Sequence, residues 1–236
     1  MRKTALLLVS LFVGSAQSAV IFTEDFNTDG LGTRYTAAGA GGAGLGCCQN
    51  WSLNSQDEGN ESDVLVGFEG IDFWSGSDLD DSSLPGSFSA LTPRDLIMNS
   101  VNVGSFTNEL LTVGLAASST LDVGTDFLRI LAIDSDTNAR TVLDFFDGTS
   151  AGSTSGVVLG TTFQDFTYDL SGLGFTNLSI GFEAWTTSNN EVIGIDNIRI
   201  SGDQTQNSSD VPAPAPLALF GLGMLGLALS RKRNAK

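Results

Sequence analysis

The sequence FQDFTYDL (163–170) is followed by LSIGFEAW (178–185) and by IGIDNIRI (193–200). All three segments are rich in aromatic and β-branched residues, and they alternate with short runs of Gly, Asn, Asp and Ser. Such runs are typical of β-strands that end in turns. None of the segments has the 3.6-residue period of an amphipathic helix. Together they predict a β-structure built from short strands.

The same pattern extends back towards the N-terminus. Further strands are predicted at 20–26, 63–74, 87–91, 106–116, 127–134 and 140–146, and the closing strand with IGIDNIRI spans 191–200. Turn signals recur about every dozen residues, which is typical of antiparallel sandwiches. The interval 19–200 is long enough for one domain with its own core. The sequence therefore predicts an all-β, antiparallel β-sandwich.

The two ends of this domain resemble those of carbohydrate-binding-module and MAM-type jelly rolls. The opening is EDFNTDG (24–30), and the closing strand carries the pair Asp196 and Asn197. In those families an Asp-Asn or Asp-Asp pair in the last strand meets an acidic segment near the first strand. The resemblance implies a jelly roll over residues 19–200 and leaves the middle of the domain unassigned.

The opening segment also fits the start of a calcium loop. Asp25, Asn27 and Asp29 alternate and are followed by glycine, so their oxygens can face one ion. An EF-hand needs Glu at the twelfth position, where this chain has Thr36, so the remaining ligands must come from elsewhere. Asp196 is the natural donor if the ends of the jelly roll meet. We predict a structural Ca²⁺ site, with an Asx-rich turn as the alternative.

Alternation along LSIGFEAW predicts a sugar-binding surface. Ile180, Phe182 and Ala184 share one face of this strand, and Glu183 and Trp185 share the other. If the first face is core, Trp185 is exposed beside a carboxylate, as a glycan site requires. The alternative is that Trp185 packs in the core or at an edge.

Charge and composition limit the possible functions. Residues 19–210 hold all 27 acidic residues of the chain and only five arginines, a formal charge of −22, and they contain no lysine. This large negative charge repels the phosphate backbone of nucleic acids, so nucleic acid is excluded as a partner. The chain has no histidine, which excludes Ser-His-Asp and Cys-His catalysis. Cys47 and Cys48 are adjacent, which leaves a strained vicinal disulfide, an intermolecular link and free thiols as alternatives.

The N-terminus predicts export. Residues 1–18 begin with a basic Met-Arg-Lys, continue with an apolar run over 5–13 and end with the small residues Ala16 and Ser18. This order is typical of a secretory signal peptide, with cleavage near Ser18 or Ala19.

The C-terminus predicts a membrane segment. A polar linker (201–210) leads into VPAPAP (211–216), a charge-free run of 13 residues (217–229) and a basic end. The alternating prolines form an extended spacer. With its neighbours, the apolar run approaches the length of a transmembrane helix, and the basic end marks the inner side.

This tail (211–236) resembles the PEP-CTERM sorting signal of Gram-negative bacteria. The matching residues are Val211, Pro212, Pro214, Arg231, Lys232 and Arg233. Ala213 stands where the family usually has Glu. The resemblance implies an exosortase-type processing enzyme, a transient anchor in the inner membrane and export in bacteria that make exopolysaccharide. The alternative is an ordinary C-terminal membrane anchor.

These observations predict an exported, non-catalytic protein of the cell surface or extracellular matrix that binds glycan, with exopolysaccharide as the expected ligand. One alternative is a structural or adhesion protein without a glycan ligand. The other is a glycoside hydrolase, which needs two carboxylates at a defined separation, such as Glu183 with Glu191 or Glu69 with Asp72.

Overall fold

The described residues of the computed structural model are 18–28, 30–37, 51–55, 65–66, 69–70, 72–79, 94–188 and 190–205. They form twelve β-strands. In chain order these are β1 (Ser18–Glu24), β2 (Tyr35–Ala37), β3 (Trp51–Ser55), β4 (Asp72–Ser77), β5 (Arg94–Met98), β6 (Val101–Asn102), β7 (Phe106–Ala117), β8 (Phe127–Asp134), β9 (Arg140–Asp147), β10 (Gln164–Asp169), β11 (Asn177–Trp185) and β12 (Val192–Gln204).

The strands form two six-stranded sheets, and the pairings between them are antiparallel. The first sheet has the order β10-β7-β12-β4-β3, and β1 pairs with the second half of β12. The second sheet has the order β2-β5-β11-β8-β9, and β6 pairs with the start of β11. From β9 to β12 the chain crosses from one sheet to the other after every strand. This confirms the predicted antiparallel jelly-roll sandwich.

The core lies between the two sheets and follows the alternation of the strands. On β11, Ile180, Phe182 and Ala184 are fully buried, and β7 contributes alternate residues such as Val113 and Leu115. Burial of one such side chain stabilises the fold by about 1.5–3 kcal/mol. The two sheets therefore pack against each other mainly through every second residue of their strands.

An aromatic cluster closes the core beneath the first loop. The rings of Tyr35 and Trp74 meet edge to face, with centroids 4.8 Å apart, and Phe26 lies 5.3 Å from Tyr35. The backbone N–H of Gly30 donates to the Tyr35 hydroxyl over 3.1 Å. This cluster fixes the loop that follows β1 against the sandwich.

Three of the long predicted strands are confirmed, and four short strands were missed. The prediction of 127–134 coincides with β8, and those of 106–116 and 178–185 differ from β7 and β11 by one residue. Strands β2, β3, β5 and β6 have two to five residues, too few for a period to be recognised. The predicted strand 87–91 lies outside the described residues.

The predicted strand 63–74 is wrong in part. Glu69 and Gly70 form a bend, and β4 begins at Asp72. Gly70 has a φ of +80°, and a Cβ there would lie 2.0 Å from the side-chain oxygen of Asn27. Both features favour glycine at this position, and the bend there is incompatible with one continuous strand over 63–74.

All twelve strands belong to one compact unit, Gln17–Gln204. Strand β12 continues four residues beyond the predicted end of the domain because Ser201 and Asp203 pair with both β1 and β7. The second unit, Met1–Ala16 with Thr205–Lys236, contains most of the predicted signal peptide and the sorting tail. Apart from Thr205, it lies outside the described residues. Within the described ranges there is no helix long and apolar enough to span a membrane.

Candidate functional site

The predicted phase of β11 agrees with the burial of its residues. Phe182 is fully buried, whereas Glu183 and Trp185 lie on the outer face of the second sheet and are partly exposed. Trp185 pairs with Phe127 of β8, and Glu183 pairs with Arg129. The strand register thus determines the neighbours of both predicted glycan-binding residues.

Aromatic rings and a guanidinium stack beside Trp185. The Phe127 and Phe145 rings have centroids 5.9 Å apart, and the Arg129 guanidinium carbon lies 4.6 Å from the first and 5.3 Å from the second. A guanidinium over an aromatic ring is held by the electrostatic attraction of the ring face. We call this surface, made by Trp185, Glu183, Arg129, Phe127 and Phe145, the aromatic face.

An ion-pair network continues from the aromatic face across the sheet. Arg129 donates to Glu183, and Arg140 lies 3.5 Å from the other carboxylate oxygen of Glu183. Arg140 also donates to Asp95 on β5 over 2.9 Å. Burial raises the pKa of the Asp95 carboxyl, although Arg140 acts in the opposite direction. Since these pairs are partly exposed, each is worth about 0–1 kcal/mol to stability.

At the far end of β11, a cavity lies beside the second sheet. Gly181 leaves room for the side chain of Ile133, since a Cβ at Gly181 would lie 2.9 Å from its terminal carbon. The cavity has a volume of about 310 Å³ and is lined by Thr36, Ile97, Ser179 and other residues. Its lining combines apolar side chains such as Ile97 with the hydroxyl groups of Thr36 and Ser179.

The first and last strands meet, as the predicted calcium site requires. Glu24 pairs with Ile198, which brings the loop after β1 beside Asp196. Asp196 is 2% exposed, and its two oxygens accept hydrogen bonds from the N–H groups of Glu69 (2.8 Å) and Asn197 (2.7 Å).

The ionisable side chains around Asp196 are acidic. Burial raises the pKa of its carboxyl to about 7, and the neighbouring carboxylates of Glu69 and Asp25 act in the same direction. The side chain of Asn27 approaches Gly70, so three segments converge at this point. Asp29 lies outside the described residues. A divalent cation would supply the missing positive charge, and such an ion usually takes several oxygen ligands.

The alternative, an Asx-rich turn, also has support. The Asp25 carboxylate accepts a hydrogen bond from the Asn27 N–H over 3.2 Å, which is the contact of an Asx turn. Arg34 pairs with the buried Glu24 over 2.6 Å and donates to the backbone oxygen of Thr28. The loop is therefore ordered by protein contacts before any ion is considered, and its calcium affinity stays a prediction.

A second acidic cluster was missed by sequence reasoning. The carboxylates of Asp122, Asp126 and Glu191 lie within 4.8 Å of one another, and burial raises the pKa of both Asp126 and Glu191. The Thr187 hydroxyl lies 3.3 Å from Asp126 and 3.2 Å from Glu191. No local motif marks this cluster, because two loops far apart in sequence build it.

The raised pKa of Asp196 predicts a pH dependence in calcium-free buffer. Its folded pKa of about 7 exceeds the ordinary value of 3.8, so between these values the native state binds a proton that the unfolded chain lacks. The free energy of unfolding should therefore fall as pH rises from about 4 to about 7. Asp126 and Glu191 act in the same direction. Asp144, whose pKa is lowered, acts oppositely, but only below its ordinary range.

Denaturant titrations across this pH interval test the prediction. Asp196→Asn should flatten the pH dependence, whereas Asp165→Asn, a change at an exposed site, should not. A wild-type stability that rises with pH over the interval would contradict the assignment.

Comparison with known proteins identifies the tail. Residues 210–233 match the PEP-CTERM protein-sorting motif, which confirms the resemblance seen in the sequence. The motif marks an exported protein that is anchored transiently in the membrane until exosortase-type sorting machinery processes it. Its predicted residues, from Val211 to Arg233, lie outside the described residues. No curated protein matches the chain in sequence.

Solved structures with a similar fold come from several sources. The K3 cleaved adhesin domain of Lys-gingipain from Porphyromonas gingivalis is 15% identical over 78% of this chain and 99% of its own, with a TM-score of 0.48. The CBM22-1 xylan-binding domain of Paenibacillus barcinonensis Xyn10C is 9% identical over 82% and 100%, with a TM-score of 0.41. A cyclase from Fischerella sp. is 14% identical over 82% and 100%, with a TM-score of 0.46. At these identities the similarity concerns the fold alone.

Proposed function

We propose that this exported protein, which carries a PEP-CTERM sorting motif, is a non-catalytic glycan-binding protein of the cell surface or matrix of a Gram-negative bacterium. Extracellular polysaccharide is the proposed ligand. One observation supports this most strongly: the outer face of the second sheet presents Trp185 beside the ion pair of Glu183 and Arg129.

The chemistry of the aromatic face suits a neutral sugar. A pyranose ring has an apolar C–H face that can stack on an indole, and hydroxyl groups that need both donors and acceptors. Trp185 would supply the stacking surface. Glu183 offers acceptors and Arg129 offers donors at the next strand pair. Because these two charges neutralise each other, the face carries no net charge that would select an anionic sugar.

The geometry suits an extended chain rather than a single sugar. From Trp185 to Ser179 the strand spans six residue steps, which is about 20 Å at the usual rise. The cavity of about 310 Å³ lies at the Ser179 end. A glycan running along β11 would thus contact rings at one end and hydroxyl-bearing residues at the other.

The non-catalytic assignment rests on the roles of the carboxylates. Glu183, which is the acid nearest to Trp185 on the strand, is contacted by both Arg129 and Arg140. These contacts engage both carboxylate oxygens, so in this proposal Glu183 is a fixed hydrogen-bond acceptor for a sugar hydroxyl. Glu191, its proposed partner in a hydrolase, lies in the separate cluster with Asp126.

We further propose that calcium is structural and lies between Asp25, Asn27 and Asp196, with Asp29 as an additional ligand. The convergence of the first and last strands supports this assignment. In this arrangement the ion stabilises the domain that presents the aromatic face and does not contact the sugar.

A glycan array tests the function. Residues 19–210 should bind neutral polysaccharides, and calcium should increase the fraction of folded, active protein. If no glycan binds, the domain is a structural or adhesion protein. If oligosaccharides are released from the bound glycan, it is a hydrolase. Either result would contradict the proposal.

The sorting tail leads to a separate prediction. Replacing Arg231, Lys232 and Arg233 by neutral residues removes the basic end that marks the inner side of the membrane. The precursor should then be retained poorly, as measured by cell fractionation and immunoblotting. Asn234→Gln, which leaves the three basic residues in place, is a suitable control. A wild-type domain found in the cytoplasm would refute the topology.

A further inference from the structure

A second cavity lies at the end of the sandwich opposite Trp185. Its volume is about 460 Å³, within the usual range for ligand pockets. Two crossings between the sheets form its walls: residues 103–109, which lead from β6 into β7, and residues 170–178, which lead from β10 into β11. Leu178 and Trp185 are seven residue steps apart on β11, or about 23 Å. The cavity is therefore separate from the aromatic face.

Backbone hydrogen bonds hold the two walls together. The N–H of Val103 donates to the carbonyl of Thr176 over 2.8 Å, and the N–H of Leu170 donates to the carbonyl of Glu109 over the same distance. These bonds join the walls at two points and fix the spacing between them.

The floor of the cavity is apolar. Val103, Leu170 and Leu178 are at most 4% exposed. Phe106 and Phe175 line the same space and are partly exposed. A ligand with a compact apolar face would be desolvated against these side chains.

The rim favours ligands that donate hydrogen bonds. The Asn108 amide donates to Asp203 over 2.9 Å, the Thr107 hydroxyl donates to the backbone oxygen of Asp203, and the Ser171 hydroxyl donates to Asp169. The two hydroxyl donors and one N–H of the Asn108 amide are therefore already in use. Among the described residues, the Glu109 side chain accepts no hydrogen bond, so its carboxylate is an available acceptor.

We infer that this cavity is a second saccharide site and takes the neutral terminal sugar of a glycan. The apolar floor matches a pyranose C–H face, and the acceptors of the rim match its hydroxyl groups. The Glu109 carboxylate and the net negative charge of the domain repel the carboxylate of a uronic acid. Walls on two sides suit a chain end rather than an internal segment. The inference rests on the proposed function for its ligand class and would make the domain bivalent for glycans.

The full-length chain in a sugar-free zwitterionic detergent is suitable for the test. The probes are the methyl glycosides of glucose, galactose, mannose and xylose, with methyl glucuronide and ethanolamine as charged comparators. Amide NMR shifts report binding. At least one neutral glycoside should shift the amides of Phe106, Glu109 and Thr176, and methyl glucuronide should not.

Variants separate this cavity from the aromatic face. Thr176→Trp, at an exposed rim position, should fill the cavity and abolish these shifts. Glu109→Gln should weaken binding roughly tenfold, since the hydrogen bond from the sugar hydroxyl then goes to a neutral amide oxygen and not to a charged carboxylate. Asp165→Asn, which removes an exposed charge on β10, and Trp185→Ala should both leave the shifts unchanged.

Three results would overturn the inference: no shift at these amides with any neutral glycoside, shifts that persist in Thr176→Trp together with an unchanged affinity in Glu109→Gln, or binding of ethanolamine alone. If glycans still bind at Trp185, only the second site fails. If they bind at neither place, the proposed function fails as well.

Discussion

Replacing Trp185 by alanine is expected to weaken glycan binding by roughly 1–3 kcal/mol, by analogy with the stacking of bases on aromatic side chains. The fold should remain largely intact, because Trp185 lies on the outer face and is partly exposed. Titration calorimetry with a glycan that binds the wild type measures the first effect, and thermal unfolding measures the second.

Phe182→Ala is the matched comparison. Phe182 lies three positions before Trp185 on the same strand but is fully buried. Its truncation should cost about 3–5 kcal/mol of stability. Val20→Ala, an exposed change in the first sheet, should alter neither property. A large loss of stability in Trp185→Ala would show that Trp185 belongs to the packed structure and that the glycan surface lies elsewhere.

Calcium is expected to raise the melting temperature by several degrees. An ion that binds only the native state adds about 2.7 kcal/mol when its concentration is a hundredfold above Kd. For a domain of this size, each kcal/mol corresponds to roughly 2–4 °C. The physical reason is that the ion joins β1 to β12 and offsets the repulsion among Asp25, Glu69 and Asp196.

Variants assign the calcium response to its site. Asp25→Ala and Asp196→Ala should remove most of the difference between millimolar calcium and EDTA, whereas Asp165→Asn should retain it. All curves must share one ionic strength, because any salt screens a domain as acidic as this one. Identical wild-type curves with calcium and with EDTA would refute the site. A response that survives both alanine variants but is lost in Glu191→Gln would assign the ion to the other cluster.

Calcium affinity and proton binding at Asp196 should be linked. Ca²⁺ coordinates the ionised carboxylate, and the ion-free pKa of Asp196 is raised to about 7. Protons therefore compete with the ion below that pH, and the calcium response should be larger in mildly alkaline buffer than in mildly acidic buffer.

The sequence predicted those parts of the fold that depend on local alternation. Strand β8 was located to the residue, and the phase of β11 follows directly from Ile180, Phe182 and Ala184. The opening and closing motifs also predicted that the ends of the domain meet, as the pairing of Glu24 with Ile198 shows. These features were predictable because each depends on a short segment with a regular pattern or on a recognisable motif.

The partners of the candidate site could not be predicted. Phe127 and Arg129 lie beside Trp185 and Glu183 because of the register between β8 and β11, which no local pattern specifies. Asp95 contributes from β5, a strand too short to be recognised. The cavity beside Glu109 depends on two crossings about 60 residues apart, whose proximity follows only from the jelly-roll topology. In each case the neighbours are determined by tertiary structure and not by a local sequence pattern.

The indole N–H resonances of the three tryptophans provide the most direct test of glycan binding. Trp51 and Trp74 are at most 1% exposed, whereas Trp185 is partly exposed on the aromatic face. Addition of a neutral oligosaccharide from an array-positive glycan should shift the Trp185 indole resonance progressively to saturation and leave the other two in place. A saturating ligand that leaves the Trp185 resonance unmoved would contradict the proposal that this face binds glycan.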